Sequence, residues 1–170
     1  RPTNQEHRTG SCLPAQAPPF LECRPSLAVH SNLPKLCPTM SLDPKLTKLL
    51  NDQINNEMAS SYSYLAMSAW LEQTPYSGFA SWMYNQSLEE TLHAHKFYQH
   101  LVDRDAPVEL KPIAKPQAKF KNPIDVFKSS LEQEQAVTKQ INILFDVAEK
   151  VSDHASKNLL LWFLNEQMEE

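Results

Sequence analysis

Residues 79–100 read FASWMYNQSLEETLHAHKFYQH, and one stripe through them, Phe79, Met83, Gln86, Glu90, His93, Phe97 and His100, advances by alternating steps of four and three. That is the period of a helix face turned toward partner helices. Glu90 and His93 interrupt it where apolar residues belong. Three further segments repeat the rule: Leu46, Leu50, Ile54, Glu57, Ser61, Tyr64 and Ser68; then Ile124, Phe127, Leu131, Glu134, Thr138, Ile141, Phe145 and Ala148; then Leu159, Phe163, Glu166 and Glu170. Each seam carries a carboxylate and none carries a lysine or arginine. Taking an unpartnered ionised carboxylate out of water costs on the order of several kcal/mol, so acids converging on one interior need protons or metal cations. The histidine three places after Glu90, on the same helix face, makes metal the better reading.

The chain has 170 residues and a net charge of −4, enough for one domain with a substantial core. No long basic run or basic-aromatic interleaving occurs, so nucleic acid is not an expected partner. The longest apolar stretch, residues 159–164, is far too short to cross a bilayer, and a soluble protein is expected. Residues 1–40 differ in composition: they hold all three cysteines and seven of the thirteen prolines. They are expected to be a disordered extension, with native translation starting at Met40. Cys12, Cys23 and Cys37 show no CxxC spacing, which argues against a zinc or redox motif.

Asp43 followed by Pro44 predicts an N-cap and first turn, opening a helix that runs to about residue 71. A short break at Thr74, Pro75, Ser77 and Gly78 leads into a second helix to about residue 104, antiparallel to the first. Residues 105–122 carry three prolines and predict an extended strap. Eighteen extended residues reach at most roughly 60 Å, more than the length of such a helix at about 40 Å, so the strap can return the chain to its starting end. A third helix over 123–150, a turn at 151–153 and a fourth helix still running at the last residue complete an all-α four-helix bundle. Its topology is up-down-down-up, with the long crossover between helices 2 and 3.

The strings NNEMASSYSYLAMSAW (55–70), SLEETLHAHKF (87–97), LEQEQAVTKQIN (131–142) and LLWFLNEQMEE (160–170) resemble the four ligand-bearing segments of non-haem ferritins of the bacterial type, a ferritin-like di-iron family. The likeness covers residues 40–170. It implies a first iron site of Glu57, Glu90 and His93, with Glu90 bridging to a second site completed by Glu134 and Glu170 and with Gln167 beside it. It further implies a third iron position at Glu89, Glu166, Glu169 and Glu170. The implied activity is a ferroxidase: Fe(II) oxidised by oxygen or peroxide and passed to a mineral core in a cytoplasmic cage of twenty-four like subunits. Members of the family continue the fourth helix and add a fifth, so the chain is expected to be a fragment with a truncated fourth helix.

Carboxylate oxygens with a single imidazole suit Fe(II) and favour Fe(III) still more. Tyr64, two turns beyond Glu57, and Trp162, one turn before Glu166, are placed to supply an electron or to hydrogen-bond a bound oxygen species. Their plain alternative is core packing. Bacterioferritin-like relatives place a haem methionine directly after the bridging glutamate, where this chain has Thr91, so no haem is expected; Met58, Met67 and Met83 read as packing. The alternative function is a carboxylate bundle that binds or sequesters divalent metal without oxidising it.

Overall fold

Proline at the first helical position is tolerated because its missing N–H has no intrahelical partner there, and two of the helices begin on one. In a computed structural model, which describes residues 41–169, the helices are α1 (Pro44–Leu71), α2 (Ser77–Asp103), α3 (Pro123–Lys150) and α4 (His154–Glu166). Asp43 caps α1, its carboxylate accepting from the backbone N–H of Lys45 at 2.9 Å and Leu46 at 3.0 Å. Asn122 does the same for α3 through Asp125 N–H at 3.0 Å, and Asp153 for α4 through Ser156 N–H at 2.8 Å. No strand occurs among the described residues. Residues 1–40, including the expected extension and its cysteines, and Glu170 lie outside them.

Side-chain contacts fix the helix directions. Ser68 Oγ donates to Ala80 O and Ser61 Oγ to Ser87 O, joining the end of α1 to the start of α2 in an antiparallel pair. Tyr64 near the end of α1 bonds Ser130 and Glu134 early in α3, so α3 also runs against α1. Arg104, just after α2, and His100 within it bond Asp153 and Ser156 at the start of α4. The up-down-down-up order follows.

The crossover at 105–122 is extended, and α1 holds it by two asparagines one turn apart. Asn51 donates to Pro107 O at 2.9 Å and accepts from Glu109 N–H at 2.6 Å. Asn55 repeats this with Glu109 O at 2.8 Å and Lys111 N–H at 2.6 Å. One helical turn advances about 5.4 Å and two extended residues about 6.6 Å, so residues at i and i+4 on a helix can serve alternate residues of a strap lying along it. At the far end Phe120 is buried edge-on against Trp70.

Two expectations are corrected. Phe79, Ile124 and Leu131 do not face the core; all three are exposed. The buried residues of α3 are Val126, Ser130, Glu134, Val137, Ile141, Leu144, Val147 and Ala148, which meet the expected seam only at 134, 141 and 148. The Tyr64 hydroxyl bonds both Ser130 and Glu134, so Ser130 rather than Leu131 meets α1, while Phe127 stays half-buried against the cluster of Tyr64, Met67 and Leu71. Phe79 instead joins Tyr76, Phe127 and Trp82 in an aromatic group. The fourth helix ends at Glu166, and residues 167–169 form a turn rather than further helix.

With only two glycines in the sequence, the left-handed positions that end α2 and α3 are filled by Asp105 (φ 51°) and Ser152 (φ 57°). Both sit in the paired-bond helix stop: Ala106 N–H reaches Leu101 O and Asp105 N–H reaches Val102 O, while Asp153 and Ser152 N–H reach Ala148 O and Glu149 O. A Cβ in this region is strained, so Ser152→Gly is expected to stabilise the chain by about 0.5–1 kcal/mol, read as a rise in chemical-denaturation midpoint. Asp153 joins the second stop to α4 and pairs with Arg104 through both oxygens at 2.9 and 2.7 Å. That guanidinium holds the Asp153 carboxyl well below its usual range. Its contribution is therefore complete above the ordinary aspartate value and is lost as pH falls below it. Asp153→Ala removes a cap and the ion pair together, and should cost about 2–3 kcal/mol at pH 7 and much less near pH 2 in urea melts.

Candidate metal centre

α1 and α2 approach closely because small and hydroxylic residues line their seam. Ser61 Oγ bonds Ser87 O at 2.7 Å and lies 3.0 Å from Thr91 Oγ1, so the hydroxyls satisfy one another inside the pair. The seam carries Glu57 of α1 against Glu90 and His93 of α2. One ligand atom from each of these three side chains lies within 4.8 Å of the others. Three of the acids expected at the centre and its imidazole are buried: Glu57 is 0% exposed, Glu90 2%, Glu134 7% and His93 5%.

Burial pushes the Glu57 carboxyl well above its ordinary value, and the neighbouring Glu90 charge pushes it the same way. The Gln53 amide opposes them, donating from Nε2 to Glu57 Oε1 at 2.8 Å. No donor among the described residues reaches Oε2. His93 Nδ1 stands 3.5 Å from Glu90 Oε2, and the ring is packed edge-on by Trp162 and Phe163 of α4 with centroids 5.5 and 5.6 Å away. The donor set is hard, anionic and orphaned on one oxygen, and so fits a divalent cation.

Glu134 is deployed differently. Tyr64 donates its hydroxyl to Oε1 at 2.6 Å, and Gln167 Nε2 approaches Oε2 at 3.5 Å. Gln167 is itself held by Thr138 Oγ1. Burial first, then the Glu134 charge, holds the Tyr64 phenol far above its usual range, so it stays protonated as a donor. Glu134 is thus inside the bundle but is not one of the three atoms that converge.

A second trio, Glu89, His93 and Glu166, also brings three ligand atoms within 4.8 Å. Both of its carboxylates are half-buried. It borders a groove of about 500 Å³ between α2 and α4, lined also by Leu92, Lys96 and Trp162. Lys96 Nζ lies 4.0 Å from the centre of the Trp162 ring. Glu169 is exposed and belongs to neither trio; Glu170 lies outside the described residues. Gln53 and Ser130 were absent from the sequence-based site. Gln53 was legible as a polar residue one turn before Glu57 on the same face; nothing in the sequence marked Ser130.

The ferritin-like domain family matches residues 47–170. This chain belongs to the ferritin family. A bacterial non-heme ferritin of Staphylococcus haemolyticus is 40% identical over 129 residues, covering 76% of this chain and 78% of that protein. One from Staphylococcus aureus strain USA300 is 38% identical over the same shares. An open-pore ferritin from the hyperthermophilic archaeon Archaeoglobus fulgidus superposes with a TM-score of 0.74 at 35% identity, covering 76% of this chain and 80% of that one. Among the described residues of this ferritin chain, no helix is long and apolar enough to cross a membrane.

The raised Glu57 value sets a pH dependence for the metal-free protein. Between the ordinary glutamate value of 4.5 and its raised one, the folded state holds a proton that the unfolded state has lost, so stability falls as pH rises through that window. Glu57→Gln keeps the shape and removes the charge. It is expected to make the metal-free chain more stable than the parent at pH 7–8 and to flatten its pH profile, measured by urea unfolding in a chelating buffer.

Proposed function

We propose that this chain stores iron and oxidises it on entry. Fe(II) binds at Glu57, Glu90 and His93, and a second Fe(II) shares Glu90 and is completed by Glu134 and Glu170, with Gln167 beside it. Two Fe(II) ions each give up one electron. Dioxygen takes both with two protons and leaves as hydrogen peroxide, which serves as the alternative oxidant. The observation that carries this reading is the Glu57, Glu90 and His93 trio, whose charge is buried and whose Glu57 oxygen lacks a donor.

The surrounding residues have distinct work. A negatively charged, water-poor pocket favours Fe(III) over Fe(II), so oxidation is downhill once the ions are seated. Tyr64, kept protonated and bonded to Glu134, orients that carboxylate and can supply an electron as its proton passes across the 2.6 Å bond. Glu89 and Glu166, which share His93 with the buried site, support a third iron position, with Glu169 and Glu170 assigned to it by family resemblance. The ferric product passes to a mineral core inside a multisubunit cage of like chains, twenty-four in the family's usual form, in the cytoplasm.

Aerobic addition of Fe(II) tests the reading through oxygen consumption and ferric absorbance. Glu90→Ala and His93→Ala each remove a ligand that no neighbour replaces, and should slow the first phase by about tenfold or more. Rates equal to those of the parent chain would leave a metal-binding bundle without oxidase activity.

A further inference from the structure

We propose that Gln53 is a positioning residue for Glu57: it occupies one carboxylate oxygen so that only the other is offered to a metal ion. The inference rests on the metal-site reading above. Gln53 and Glu57 lie one turn apart on α1 and both are buried. Packing alone would fill position 53 with an apolar residue, since Leu50 and Ile54 beside it are core. An amide there is desolvated and is stabilised by a charge-assisted bond to the carboxylate.

That bond has a geometric consequence. The last torsion of a glutamate is broad and roughly two-fold, so a free carboxylate can turn edge-on and chelate with both oxygens, or swing between modes. The 2.8 Å bond from Nε2 fixes Oε1, and Oε2, which no donor among the described residues reaches, is left as the oxygen free to take a metal ion. One-oxygen ligation by Glu57 leaves coordination positions for Glu90, His93 and an oxidant. Glu134 differs: each of its oxygens has its own partner, Tyr64 and Gln167.

Removing the donor while keeping the bulk separates this role from packing. Gln53→Met is nearly isosteric, and Gln53→Asn keeps the amide but is one methylene too short to reach Oε1. Anaerobic titration with Co(II), followed by calorimetry and by its visible bands, reads both affinity and coordination. Both variants should weaken the tightest Co(II) by about tenfold or more and change the band intensities, while Gln53→Met keeps a cooperative metal-free melt. Co(II) affinity within twofold of the parent and unchanged bands in both variants, with binding lost in Glu57→Gln, would overturn the role of Gln53 and leave the site intact. Parent-like binding in Glu57→Gln would overturn the site itself.

Discussion

The structure depends on two carboxylates, Glu57 and Glu90, held against each other inside a bundle where water cannot screen them. Their mutual repulsion and desolvation act against folding of the metal-free chain, and the raised proton affinity of Glu57 is the local response. An arginine could have neutralised the pair permanently, as Arg104 does for Asp153 elsewhere in the bundle. The two buried ionic groups differ in this respect: Asp153 has its counter-ion built in, and under the proposed function Glu57 and Glu90 take theirs from solution.

The rest of the bundle is arranged so that this tension does not spread. The Ser61, Ser87 and Thr91 hydroxyls find partners in a backbone carbonyl and in each other, so the close seam that brings Glu57 to Glu90 buries these hydroxyls with their bonds made. Asn51 and Asn55 satisfy the backbone of the crossover, which lets a long irregular segment lie along α1 without a sheet. Both arrangements spend ordinary side-chain amides and hydroxyls on backbone groups, the commonest use of such bonds in proteins.

The helices were legible because their punctuation is local. Asp43-Pro44 and Asn122-Pro123 place the starts of α1 and α3, and the prolines of 105–122 exclude a helix there. Glu57, Glu90, His93 and Glu134 could be read as inward-facing because three- and four-residue spacing survives any small rotation of a helix. The rotation itself was not legible. Whether Leu131 or Ser130 meets α1 depends on where the Tyr64 hydroxyl lands, a contact between residues 66 apart in sequence. The same limit applies to Gln53: spacing places it on the Glu57 face, but which Glu57 oxygen it binds depends on the conformations of the two side chains.

The fourth helix shows how a short element can still govern a site. Its thirteen residues are anchored at the start by Asp153, bonded to Arg104 and to its own Ser156, and by Ser156 in turn to His100 at 2.8 Å. The His100 ring, its pKa lowered by burial and by the Arg104 charge, meets that hydroxyl as a neutral imidazole. From this fixed end the helix reaches Trp162 and Phe163, which close over the His93 ring, while Phe163 also stacks on Phe97 at 4.1 Å. Aromatic walls on that side shield the imidazole and restrict the tilt of its ring. The orientation of His93 on α2 is therefore tied to an ion pair about three turns of helix away.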